Sequence, residues 1–321
     1  MRIAILGAGF AGLALCWHLL QWPRTQVTLF DAEGVGGGAS GMSGGLLHGY
    51  CGPHARKAKN ADDALAATRG LLDIASEALG RPVADHTGIL RPAVTALQQE
   101  EFAACASSDP TLSWWSSQQA QERVPGLASL PALWISEGIT VHAKDYLNGL
   151  WTACEKLGAT FQQERIASLK TLHYDALVIA LGAATNHFVR LPIYPVKGQT
   201  LTLTWPLPPL PFSLISQGYL IPQDNSCIIG ATFERTSTTI APTPEAEPLL
   251  RAKVAAFFPA VHDLPLLSHQ AGIRVASHDH RPIAAQVAPK TWAFTALGSK
   301  GLLYHAWLAK QLAGDIQALA L

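Results

Sequence analysis

The run Ile5-Leu6-Gly7-Ala8-Gly9-Phe10-Ala11-Gly12 has the residue types and spacing of a diphosphate cradle. In a G-x-G-x-x-G turn that leaves a strand and opens a helix, the first glycine permits the tight turn. The second lets backbone approach the pyrophosphate, and the third allows close helix–strand packing. The free N–H groups and positive dipole end of the helix then face the anion. A glycine triplet alone is a weak signal, but Asp31 closes the next apolar run, nineteen residues beyond Gly12. A carboxylate there accepts from a ribose hydroxyl and repels a 2′-phosphate, which favours FAD or NAD over NADP. Just after it comes Gly36-Gly37-Gly38-Ala39-Ser40-Gly41, a second glycine loop. Its bare backbone suits close passage of a large flat cofactor, so FAD is favoured over NAD, although composition alone also fits a surface loop.

Other constellations carry less. Gly41-Met42-Ser43-Gly44-Gly45 is a literal G-x-S-x-G, but a nucleophile elbow needs a strand before the serine and a helix after it. Here glycines precede and an apolar strand-like run follows, so a hydrolase is rejected. His278 and His280 would share a face of a strand, yet no third ligand has suitable spacing, and no metal is expected. The basic cluster His54-Ala55-Arg56-Lys57-Ala58-Lys59 is either a solvated turn or a phosphate contact through Arg56, Lys57 and Lys59. Lys+Arg 23 balance Asp+Glu 23, so the totals imply no strongly basic nucleic-acid face. Hydrophobic residues at 49% and charged residues at 14% describe a well-buried globular chain. The five scattered cysteines form no Cys-x-x-Cys and read as free thiols in a reducing compartment. The first strand at Arg2 leaves no room for a leader, and no run reaches the roughly 18 apolar residues of a membrane span. A cytoplasmic location is the expectation.

The elements that must position these groups follow from periodicity. Arg2–Leu6 and Gln26–Phe30 read as strands flanking a helix over Ala11–Leu20, which Pro23 stops. Helices are predicted over Asp62–Leu79 and Ala143–Leu157, and a buried strand over Ala176–Leu181. Alternating strands follow at Gln199–Leu203, Tyr219–Ile221 and Cys227–Ala231, with a helix near Glu245–Phe258. The proline cluster Pro206–Pro211 reads as an inter-strand loop. Strand Trp292–Thr295, a glycine turn and a helix over Leu302–Leu319 complete the chain. The expected fold is α/β: a Rossmann-type dinucleotide layer from 1–80, 136–190 and 268–321, and a discontinuous, mostly antiparallel α+β substrate layer from 81–135 and 191–267.

Taken with the glycine turn and the Gly38-Ala39-Ser40-Gly41 loop, several short segments resemble the D-amino-acid oxidase-like flavoenzyme superfamily. They are Leu177-Val178-Ile179-Ala180-Leu181-Gly182, Pro195-Val196-Lys197-Gly198-Gln199, Gly218-Tyr219-Leu220-Ile221-Pro222-Gln223, Gly272-Ile273-Arg274 with Asp279-His280-Arg281-Pro282, and Ala296-Leu297-Gly298-Ser299-Lys300-Gly301-Leu302. Within it the order and spacing are most similar to the oxidoreductase domains of the MnmC tRNA-modification proteins. The resemblance implies FAD held by Gly7, Gly9, Phe10, Ala11, Gly12, Asp31, Ala39, Ser40, Gly44, Gly45, Leu46, Gly182 and the Gly298-Ser299-Lys300-Gly301-Leu302 turn. It implies Arg274 as a fork for a substrate carboxylate, with Tyr219 assisting over the flavin face. Lys300, with the N–H groups of its turn, would stabilise charge at the flavin N1–C2=O edge. No cysteine lies between Gly272 and Pro282, so dissociable FAD is expected.

The implied chemistry is oxidation of a C–N bond in a carboxymethylated amine. In the tRNA case this is the carboxymethylaminomethyl group of wobble uridine, released as glyoxylate. In other relatives the substrate is free glycine, sarcosine or a D-amino acid. A flavin-stabilised binding protein without turnover is the reading from another class. The chain departs from the tRNA-modifying pattern: no Asn-Arg-Gln in the flavin loop, Lys300 where Arg is usual, Ala285 where Gly is usual, and no preceding methyltransferase half expected. These departures bear on the substrate rather than on the flavin.

Overall fold

The computed structural model describes residues 1–235 and 239–318. Two sheets organise it. The first has six strands in the order Thr160–Gln162, Gln26–Phe30, Arg2–Leu6, Ala176–Ile179, Thr291–Thr295 and Ile283–Ala288. The first five run parallel, and only Ile283–Ala288 is antiparallel to its neighbour. Its central strands are apolar on both faces because both faces are covered. Ile3, Ile5, Val27, Leu29 and Val178 pack beneath the helices Phe10–Leu20, Ala61–Leu79, Ala143–Lys156 and Gly301–Ala318. Ala4, Leu6 and Phe30 pack instead under Ile166, Leu169, Leu172 and Tyr174.

The second sheet has eight strands in the order Leu266–Ser277, Ile193–Thr204, Ser226–Gly230, Tyr219–Gln223, Ser213–Ile215, Ile89–Pro92, Ala132–Ile135 and Leu112–Trp115. All pairs are antiparallel except Ser213–Ile215 with Ile89–Pro92. The helix Ala246–Ala255 and the aromatic side chains Trp205, Phe257 and Phe258 close one side of it.

The predicted elements are present with shifted ends. Ala176–Ile179 stops short of Leu181, because the chain turns at Leu181 into a 3-10 helix begun by Gly182 at φ +53°. The helix predicted to reach Leu319 is described to Ala318, and Leu319 lies outside the described residues. Pro206–Pro211 does join two strands, with Pro208 O accepting from Trp205 Nε1 at 3.0 Å. The sequence boundary at 267/268 falls inside the strand Leu266–Ser277, which pairs along its length with Ile193–Thr204. Periodicity cannot register which sheet a strand pairs in, and the whole of Leu266–Ser277 lies in the eight-stranded sheet. Ala276 bridges Leu297, at the turn into the last helix. The layers are tied again where Thr140 Oγ1 and Ser213 Oγ meet, buried, at 2.7 Å.

Candidate active site

The glycine turn is closed by its own backbone. A Cβ at Gly12 would stand 1.9 Å from Gly7 O, and one at Gly7 2.3 Å from Ala180 O. Gly7 itself has φ +110°. Gly9 caps the helix Phe10–Leu20 with no side-chain bond, so the first-turn N–H groups point outward. A Cβ at Gly9 would lie 2.7 Å from Ser40 Oγ, which accepts from Phe10 N at 3.1 Å. Ser40 thus sits over the helix N-terminus and keeps its own hydroxyl proton for an anion.

Asp31 stands beside this turn. Its Oδ2 accepts from Ala8 N at 2.8 Å and its Oδ1 from Glu33 N at 2.9 Å. Each carboxylate oxygen retains a second lone pair, so ribose hydroxyls can still donate to it. Gly182 lies alongside, its carbonyl accepting from Thr295 Oγ1 at 3.3 Å. The chemistry of this donor set and the close-packed glycine turn, with the first-turn N–H groups facing outward, fit an FAD diphosphate. Gly7, Gly9, Phe10, Ala11, Gly12, Asp31, Ser40 and Gly182 come together at it.

The second glycine loop carries the chain from that crevice to the eight-stranded sheet. A Cβ at Gly272 would touch Met42 Cε at 3.2 Å and Ala39 Cα at 3.6 Å. A Cβ at Gly44 would meet the Tyr219 ring at 2.8 Å, and one at Gly45, where φ is +79°, the Val141 carbonyl at 1.9 Å. Gly45 N donates to Ser43 Oγ at 3.2 Å, and the strand Leu46–Leu47 follows at once. Ser43 therefore sits in a turn ahead of a strand, the opposite of a nucleophile elbow.

Arg274 is the cation on this face. Side chains alternate along a strand, so Gln270, Gly272 and Arg274 face the loop together. The guanidinium passes over Gly198, where a Cβ would meet Nη2 at 2.7 Å, and donates to Thr232 O at 3.1 Å. Among the described residues it has no carboxylate partner. Burial lowers its pKa, with the nearby Tyr219 acting in the opposite sense. Burial pushes the Tyr219 phenol up to about 12, with Arg274 pulling it back, so the phenol keeps its proton.

The Gly298–Lys300 turn opens the helix Gly301–Ala318 on the far side of the loop. Gly298 has φ +56°, and a Cβ there would stand 3.8 Å from Ala276 Cβ. A Cβ at Gly301 would stand 3.7 Å from the Phe10 ring, so the two helix N-termini converge. Ser299 is exposed, Lys300 is half-buried and Leu302 is buried. Burial raises the pKa of the Cys51 thiol, against the charges of Lys300 and Arg91.

The basic cluster, whose Arg56 pairs with Cys51 and whose Lys59 carbonyl accepts from Tyr304 Oη at 2.9 Å, is partly neutralised. Lys57 Nζ pairs with Asp62 at 3.0 Å and Asp109 at 3.3 Å, and His54 with Glu101 at 2.7 Å. Arg56 and Lys59 are exposed. Among the described residues no group of His, Cys, Asp and Glu could hold a metal, and no helix is long and apolar enough to cross a membrane.

Three features escaped the sequence reading. Lys197 and Gln199 are fully buried on the face opposite Arg274. Gln199 Nε2 donates to Glu234 at 2.7 Å and Thr243 at 2.9 Å, and Lys197 Nζ to Ala241 O at 2.6 Å. This clamp fixes residues 231–235, whose Thr232 carbonyl holds Arg274. Beneath Phe10, Tyr146 and His305 form a buried pair at 2.6 Å, and His305 Nδ1 lies 3.0 Å from Gly301 O. Burial lowers the His305 pKa to about 4. Finally, Arg91 is 2% exposed and donates to the Tyr50 and Gly52 carbonyls at 2.6 and 2.7 Å. Polar residues two apart in a strand, as at Lys197 and Gln199, were the available signal for the first.

A family model described as FAD dependent oxidoreductase (DAO) matches residues 2–314. The bifunctional protein MnmC of tRNA 5-methylaminomethyl-2-thiouridine biosynthesis from Maricaulis maris is 27% identical over 315 residues, covering 98% of this chain and 52% of that protein. The chain therefore spans about half the length of that relative. Glycine oxidase of Pseudomonas aeruginosa is 32% identical over 120 residues, 35% of this chain and 33% of that one. The crystal structure of glycine oxidase from Geobacillus kaustophilus superimposes with a TM-score of 0.87 at 21% identity, covering 99% of this chain and 95% of that chain. The expected α/β flavoenzyme fold is thus the observed one, and the chain belongs to the DAO family of FAD-dependent oxidoreductases, which act on the C–N bonds of amines and amino acids.

Proposed function

We propose that the chain oxidises the C–N bond of the carboxymethylaminomethyl group on the wobble uridine of tRNA, leaving an aminomethyl group and glyoxylate. The observation that carries this reading is Arg274: a half-buried guanidinium with no carboxylate partner among the described residues, turned to the loop that leads from the diphosphate crevice. Such a group is a fork for a substrate carboxylate, fixing angle as well as distance. The MnmC relatives supply the nucleoside as the bearer of that carboxylate.

Gly7, Gly9, Phe10, Ala11, Gly12, Asp31, Ala39, Ser40 and Gly182 would hold the adenosine diphosphate half of FAD. Gly44, Gly45, Leu46 and Gly298–Leu302 would hold the ring, without a covalent bond. Bound FAD supplies the two-electron oxidation of the amine to an imine. Water then cleaves the imine to amine and glyoxylate, so one water is consumed for each electron pair passed on. Arg274 holds the carboxylate, Tyr219 donates its retained proton to the same group, and Gly44 lets the Tyr219 ring lie against the loop. Lys300 and the N–H groups of its turn would offset negative charge at the ring's N1–C2=O edge.

A second reading is a free glycine or sarcosine oxidase, favoured by the glycine oxidase relative. Mass analysis of wobble uridine separates them after incubation with carboxymethylaminomethylated tRNA. Conversion to aminomethyluridine with stoichiometric glyoxylate is expected. An unchanged nucleoside, with steady turnover of glycine under the same conditions, would replace the first reading by the second.

A further inference from the structure

On the face that carries Arg274, three neighbouring segments line up cations and rings. Residues 231–235 run beside Ile193–Thr204, with Lys197 bridging Glu234. Alternation then turns Thr232 and Glu234 toward the Lys197–Gln199 clamp, and Phe233 and Arg235 toward the opposite face. Tyr194 lies on that face too, two residues from Val196, the partner of Arg274 in the register. The contacts follow. Arg274 Cζ lies 5.8 Å from the Phe233 ring, and Arg235 Cζ 5.4 Å from the same ring and 5.6 Å from the Tyr194 ring. The Tyr194 and His278 rings are 5.3 Å apart.

This row is open. Phe233 is 53% exposed, unusual for so large an apolar side chain, and Arg235 and His278 are exposed. Among the described residues Arg235 meets rings and no carboxylate, because Glu234 is turned away into the clamp. The clamp holds the backbone beneath these side chains in place, so the row is preformed.

We propose that Phe233, with Arg235 and Tyr194 beyond it, is the stacking platform for the pyrimidine nucleotide of the substrate, Phe233 taking the base and Arg235 the adjoining phosphate. This deepens the tRNA reading above and rests on it for the identity of the base. The reach agrees. In a carboxymethylaminomethyl group four bonds separate the carboxylate carbon from the ring carbon, about 5 Å when extended. A carboxylate held by Arg274 therefore leaves the pyrimidine within reach of the Phe233 ring. Exposed aromatic rings take unstacked bases, and guanidinium groups add planar stacking and phosphate pairing. Free glycine ends before reaching Phe233 and has no use for the row.

The test uses the full-length holoprotein with Phe233→Ala, Phe233→Trp and Arg235→Gln. Two readouts are kept separate: steady-state oxidation of carboxymethylaminomethylated tRNA and of glycine, and fluorescence anisotropy of an unmodified anticodon-arm RNA. Phe233→Ala should raise the KM for tRNA and weaken the arm on the order of tenfold, a larger change than any in the glycine KM. Phe233→Trp should restore both. Arg235→Gln should weaken the arm and reduce the salt dependence of binding by about one ion.

If Phe233→Ala leaves tRNA KM and arm binding unchanged, or shifts the glycine KM equally, the platform is overturned and the tRNA reading stands or falls on turnover alone. If the wild type binds the arm through Phe233 but never converts the modified tRNA, the platform stands and the reaction assignment falls. A wild type that neither binds the arm nor converts tRNA overturns both.

Discussion

The diphosphate crevice and the sheet face above it are built on opposite rules. The crevice is made of atoms that are missing: at Gly7 and Gly12 any Cβ would overlap a carbonyl, and at Gly9 it would crowd Ser40 Oγ. The sheet face is made of side chains that are present: Arg274 and Tyr219, placed by alternation along their strands, and Phe233 in the segment beside them. The first rule admits no graded change, because a methyl group either fits against a carbonyl or it does not. The second can be retuned one side chain at a time while the backbone stays put. A shared cofactor and divergent substrates among the relatives are what this division produces.

The contrast can be broken from either side. Gly12→Val should have the largest effect: its Cβ, 1.9 Å from Gly7 O in the present geometry, forces the helix away from the turn. Purified protein should retain little FAD by its visible absorbance, with binding weakened at least about a hundredfold. Normal flavin content would refute the account of the crevice.

Acid should strike the crevice before the sheet face. His305, buried under the convergent helix N-termini, has a folded-state pKa lowered to about 4 from its ordinary 6.5. The unfolded chain therefore binds the proton first. The stability His305 contributes is fully present above pH 6.5 and is lost as pH falls from there toward 4, about 3 kcal/mol in all. Thermal melts across that window should show Tm dropping with FAD release leading the loss of sheet signal. A flat Tm would show that His305 opens to solvent.

On the sheet face, Arg274→Lys keeps the charge and removes the fork. It should lower kcat/KM about a hundredfold while flavin content and Tm hold. A parallel loss of flavin would mean that the two regions are not separable. The smallest effect belongs to the basic cluster. Lys57 is held by Asp62 and Asp109, so Lys57→Gln should change RNA affinity less than Arg56→Gln or Lys59→Gln, with stability within about 0.5 kcal/mol throughout. A dominant effect of Lys57 would place the RNA across that cluster instead.

The same division explains how much was legible in the residue string. The crevice could be read because its signal is local: Gly7, Gly9 and Gly12 lie within six residues, and Asp31 follows at the end of the next strand. The parallel sheet was legible for the related reason that strands covered on both faces are uniformly apolar. Arg274 and Tyr219 entered only through resemblance, since nothing in the string brings positions 219, 232 and 274 together. Phe233 carries no mark in the string, because its exposure depends on Glu234 being drawn to the other face. The Lys57 pairing was hidden likewise: Asp109 is far along the chain, and a run of cations carries no mark of which are already neutralised.

Tyr219 has a wider consequence. Its ring is flanked by two positions where even a single carbon would collide with it, Gly44 at 2.8 Å and Gly230 at 2.5 Å. Three residues from three separate stretches of chain thus share one volume. They cannot change independently: a side chain at 44 or 230 requires the aromatic ring at 219 to move or be replaced, and with it the phenol beside Arg274. Homologous chains should sort into two groups by this trio, and the sorting should follow what they oxidise.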